Sequence, residues 1–69
     1  MAMEIAVQRL EIYDVILSSH PEHGREVEAT VRAVERTDSS VLATLRVAGI
    51  DDFGREWPLG ELVTVVRGP

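Results

Sequence analysis

Between Glu26 and Gly49 two hydrophobic periods run back to back with punctuation at both ends, and this stretch limits how the remaining residues can pack. Val27, Ala29, Val31 and Ala33 alternate with Glu26, Glu28, Thr30 and Arg32, the period of a strand with one buried and one wet face. A polar break follows at Glu35, Arg36 and Thr37. Beyond it, Val41, Leu42, Leu45 and Ala48 are spaced as the stripe of a short helix. Thr37 or Asp38 offers an N-cap oxygen, and Gly49 offers the positive φ that helix C-termini favour. The segment also reads as a strand, with Val41, Ala43, Leu45 and Val47 alternating against Leu42, Thr44 and Arg46. The end signals, and the helix propensity of Leu42, Ala43, Leu45, Arg46 and Ala48, favour a helix over 38–48.

The flanking segments complete a layout. Ile12 to Ser18 is rich in β-branched and aromatic residues, and Tyr13, Val15 and Leu17 alternate, so it reads as a strand. Residues 3–10 fit an extension of that strand, a separate short strand, or one or two helical turns. Ser19 to Arg25 contains Pro21 and Gly24 and reads as a loop, which makes Ile12–Ser18 and Glu26–Val34 an antiparallel hairpin. Asp51-Asp52-Phe53-Gly54 is a turn signal; Arg55-Glu56-Trp57 reads as a short extended piece before Pro58-Leu59-Gly60. Leu62 to Val66 reads as a strand covered on both faces or central in its sheet. The expectation is an α+β domain: a split β-α-β with a three-stranded sheet in order 2-1-3 and one helix on a face. If 41–47 is instead a strand, the expectation becomes an all-β, SH3-like, five-stranded small barrel.

Sixty-nine residues make one domain, 1–69, which buries only about 60% of the surface its unfolded chain exposes. Cysteine is absent, so disulfides and thiolate metal sites cannot reinforce so thin a core, and association with a partner or a second copy is the usual remaining route. On the helical layout Ile12, Ile16, Val34, Leu62 and Val66 cannot all lie under one short helix, so the sheet's other face or an edge is expected to be covered by a second copy, by residues 3–10 or by a partner; a homodimer is the preferred expectation. The first residues carry neither a basic n-region nor a long apolar run, so the expectation is no signal peptide, no membrane span and a cytoplasmic location. All seven basic residues are arginine, a bias we read as that of a GC-rich, bacterial genome. Twelve acids give a net charge of −5, which disfavours nucleic acid as a partner.

Each group of reactive or sticky residues has a bland reading beside the functional one. His20 and His23 flank Glu22 and are weak metal candidates, because imidazoles three apart need a third and fourth ligand; solvated loop histidines are the plainer reading. Asp51, Asp52 and Glu56 form no glycine-spaced calcium loop and read as turn residues. No nucleophile–base arrangement or phosphate-cradling loop is present, so neither an enzyme nor a cofactor is expected. Arg25, Arg32, Arg36 and Arg46 would form a basic stripe if strand and helix present them together, although Glu26, Glu28 and Glu35 interleave with them. Trp57 and Phe53 are candidate recognition anchors, with Ile12 and Ile16 as candidate apolar contacts; a Trp plugging the end of the core is the competing role for Trp57. The function these features favour is a small, non-enzymatic, protein-binding adaptor or regulator. A nucleic-acid-binding regulator using the arginines is the alternative, and an acidic decoy of a nucleic-acid-binding protein is a third.

Overall fold

In the computed structural model, which describes residues 2–19, 22 and 24–66, six antiparallel strands form one open sheet. The strands are β1 (Ala2–Ala6), β2 (Val15–Ser19), β3 (Glu26–Arg36), β4 (Ser40–Arg46), β5 (Phe53–Pro58) and β6 (Leu62–Val66), arranged β1-β6-β2-β3-β4-β5. A 3-10 turn, Val7–Arg9, follows β1. No α-helix occurs among the described residues, so none is long and apolar enough to cross a membrane.

This corrects the split β-α-β expectation. Segment 38–48 holds β4, not a helix, and the signals that favoured a helix are satisfied by turns. The Thr37 hydroxyl accepts from the amides of Ser39 (3.3 Å) and Ser40 (3.0 Å), as an N-cap would. The Thr37 amide, however, donates to the Ser40 oxygen at 2.9 Å and closes a two-residue hairpin over Asp38 and Ser39. Gly49 does adopt positive φ, +88°, but as the third residue of a β-turn closed by Ile50 N–H to Val47 O. Period 2 then governs the segment: Val41, Ala43, Leu45 and Val47 are buried while Leu42 and Arg46 are exposed. The all-β alternative fits better, with β1 as an additional strand and the sheet open between β1 and β5.

The expected hairpin of β2 and β3 is present, pairing Ile16 with Ala29 and Ser18 with Val27. Its first strand starts later than the alternation suggests, because Glu11–Asp14 is a turn closed by Asp14 N–H to Glu11 O at 3.2 Å. Residues 3–10 resolve into β1, paired with β6, and the 3-10 turn.

The inner faces of the strands share one apolar cluster that includes Ile16, Val31, Leu45, Trp57 and Val65, joined by Val7 of the 3-10 turn and by Leu10, the residue that follows the turn. A sheet can wrap one cluster only if it coils. One contact measures the coiling: the Arg55 guanidinium on β5 donates to the Ser18 hydroxyl on β2 at 3.4 Å, though three strand steps in a flat sheet would separate them by about 14 Å.

The register of β3 against β4 breaks once. Val31 faces Leu45 and Ala33 faces Thr44, so Arg32 is the extra residue of a β-bulge. The bulge exchanges the faces of everything after it. Ala33, read from sequence as the continuation of the buried row, is exposed on the outer face, while Val34 and Arg36 turn toward the inner side, opposite the buried Ala43 and Val41.

Candidate binding surface

The outer face of β3, β4 and β5 carries two parallel rows of side chains set by cross-strand register. In one, Leu42 stands between Glu35 and Glu56; in the next, Thr44 stands between Ala33 and Gly54. The second row is low because it consists of a methyl group, a small hydroxyl side chain and no side chain at all. The first forms a ridge beside it. Together they line a groove of about 490 Å³.

Two local features of the sequence build this groove. Without the bulge at Arg32, strict alternation would put Val34 outside and Ala33 inside, and the row of small residues would be interrupted. Gly54 supplies the low end at β5, which has β4 as its one strand neighbour and is therefore an edge of the sheet. A Cβ placed on Gly54 would meet nothing closer than the Ala43 carbonyl oxygen, at 3.9 Å, so backbone crowding does not demand glycine here. Leu42 is 38% exposed between two carboxylates. The surface is suited to contact: an apolar centre, acidic flanks and a trough open at a strand edge.

The candidate anchors fall in different places. Trp57 is 7% exposed and packs in the core opposite Val41, with the Arg55 guanidinium 5.6 Å from its ring centroid. Ile16 is fully buried. Neither offers a face to a partner in the folded chain. Phe53 is half-buried against the core, whereas Ile12 is 50% exposed in the Glu11–Asp14 turn.

The arginines of the nucleic-acid alternative are dispersed. Arg32 occupies the bulge, Arg46 lies on the outer face opposite Thr30, and Arg25 precedes β3 at its far end. The bulge sends Arg36 to the opposite face. Its guanidinium donates from Nε to the Gln8 oxygen (2.8 Å) and from Nη2 to the Leu10 oxygen, strapping the 3-10 turn over the end of the core. From the other side the Gln8 side-chain oxygen accepts from the Gly60 amide at 2.9 Å, and the Val7 amide donates to the Glu61 oxygen at 2.8 Å.

The histidines His20 and His23 lie outside the described residues; among those described, no group of three His, Asp or Glu side chains converges as metal ligands. Asp51 and Asp52 are exposed in the loop before β5.

Sequence reasoning did not single out Tyr13. It sits third in the Glu11–Asp14 turn with φ +76° and is 77% exposed. Neighbouring bonds hold it there: the Tyr13 amide donates to the Val31 oxygen (2.7 Å), and the Val31 amide donates to the Asp14 oxygen (2.8 Å). A bulky L-residue at that φ stores backbone strain of about 1 kcal/mol or more, and here the strained position projects a ring into solvent.

Comparison with protein-family models, curated protein sequences and solved structures finds no match for this chain.

Proposed function

We propose that the chain is a non-enzymatic binding module of the bacterial cytoplasm, an adaptor or regulator that holds a protein partner on the outer face of β3, β4 and β5. The observation that carries this reading is the groove itself, where a partly exposed Leu42 lies between Glu35 and Glu56 beside a row of small side chains that ends at an unpaired strand edge. Apolar surface framed by polar groups on a sheet face is the ordinary anatomy of a protein contact. The nucleic-acid alternative has less support, because Arg36 is engaged in strapping the 3-10 turn and Arg25 lies far from Arg32 and Arg46 along β3.

The test is capture of partners from a native lysate by the full chain and by its Leu42→Arg variant, with and without nuclease. A stoichiometric protein partner, indifferent to nuclease and lost with Leu42→Arg, is the expected result. A partner retained by Leu42→Arg, or material lost on nuclease treatment, would overturn the assignment.

A second reading concerns self-association through another part of the outer surface. Ala2, Val66 and Val15 form a row across β1, β6 and β2 on the outer side, and Leu62, paired with Ala6, is 58% exposed. We propose that a second copy covers this row. Sedimentation equilibrium should show a dimer that Leu62→Glu dissociates; a monomer at all concentrations would remove the dimer and leave the partner site intact.

A further inference from the structure

The groove reaches the edge of the sheet at Gly54, and that edge fixes what kind of segment fits it. Strand β5 has β4 on one side and presents its other side as an edge able to pair with an added strand. On the outer face of that edge the side chains alternate, so a residue added opposite Gly54 meets no side chain and looks along the low row toward Thr44. Two residues further along, the added strand lies opposite Glu56, which is exposed. Asp52, exposed just before β5, places a second carboxylate at the other end of the edge. Arg55 of β5 turns its guanidinium inward to Ser18 and Trp57, and Arg32 and Arg46 belong to β3 and β4, so the outer side chains along the β5 edge are acidic. A second copy of the chain would bring the same net charge of −5 and the same Glu56 to this edge, so like charge works against self-pairing here.

Resting on the reading of this face as a partner site, we propose that β5 accepts an extended, cationic segment of a partner protein as an added strand. The segment's apolar side chain lies over Gly54 in the groove, and its Lys or Arg, two residues away, pairs with Glu56. Main-chain hydrogen bonds to β5 supply the affinity, and the trough and the carboxylate supply the choice of sequence. The absent side chain at Gly54 then has a role that backbone geometry does not give it, since a Cβ there meets only ordinary contact.

The experiment is selection of short random peptides displayed on phage against the immobilised full chain, followed by titration of the enriched peptides into the wild type, Gly54→Val and Glu56→Gln. The expected peptides carry an apolar residue two positions from Lys or Arg. They slow amide exchange in β5, bind Gly54→Val about tenfold more weakly with its thermal midpoint maintained, and lose salt dependence with Glu56→Gln. Acidic or charge-indifferent peptides, binding that survives Gly54→Val, or no enrichment would overturn the proposal. Lysate capture separates it from the broader reading. A native partner lost with Gly54→Val but bound through a segment without basic residues removes the cationic-strand class and keeps the partner face; a partner retained by Gly54→Val but lost with Leu42→Arg does the same, and one retained by both variants removes both.

Discussion

The guanidinium of Arg36 donates to the backbone oxygen of Leu10, joining the end of β3 to the 3-10 turn that caps the core. The bond exists because the bulge at Arg32 shifts the phase of β3 and turns Arg36 away from the face that carries Ala33 and Glu35. One irregularity therefore both secures the cap and prepares the groove.

Replacing Arg36 by Met keeps the aliphatic stem and removes the donors to Gln8 and Leu10. Loss of charge-assisted hydrogen bonds of this kind should cost about 1–3 kcal/mol, a large share of the stability of so small a domain. Arg25→Met and Arg46→Met should stay within about 0.5 kcal/mol of the wild type. Urea denaturation monitored by Trp57 fluorescence checks this. Equal effects at all three positions would contradict the strap.

Leu42 and Leu45 separate the strand from the helix. On a helix they share a stripe, whereas on β4 they face opposite sides, with Leu45 fully buried and Leu42 38% exposed. Leu45→Ala should cost about 2–5 kcal/mol and Leu42→Ala about 0.5 kcal/mol or less, measured by chemical denaturation. Comparable losses at both would contradict the register of β4.

At Tyr13 the backbone and the ring can be tested apart. Tyr13→Ala and Tyr13→Gly remove the same exposed ring, but only glycine relieves the positive φ, so Tyr13→Gly should be the more stable of the two by about 1 kcal/mol. The difference in thermal midpoints reads the strain directly. A glycine variant less stable than the alanine variant would mean that the turn does not hold this residue at positive φ.

Much of the sheet was legible as alternation. Glu26 to Val31 and Val41 to Val47 both carry the period of a half-buried strand, and Leu62 to Val66 reads as the strand it is. The error over 38–48 came from reading correct local chemistry in the wrong setting. The Thr37 hydroxyl does capture free amides and Gly49 does take positive φ, but a tight hairpin and a β-turn require these features as much as a helix does. Pairing across β3 and β5, which no local window contains, decided between them.

The groove was hidden for a related reason. Its floor depends on an extra residue at Arg32, and nothing in Val31-Arg32-Ala33-Val34 marks a bulge, because the run is equally compatible with unbroken alternation. Tyr13 was obscured in the same way. A turn at Glu11–Asp14 has no Gly or Asn to announce it, and the ladder bonds to Val31 impose it from outside the segment. Trp57 marked an important position but did not reveal its direction, since only the register of β5 against Val41 turns it inward.

The most direct measurement is hydrogen–deuterium exchange of the full chain, free and bound to its captured partner, at single-amide resolution. A partner seated on the outer face of β3, β4 and β5 should slow exchange at Gly54 and Glu56, whose amides face the free edge, and leave β1 and β6 as they were. Unchanged exchange along β5, with protection gained in β1 or β6, would contradict the account.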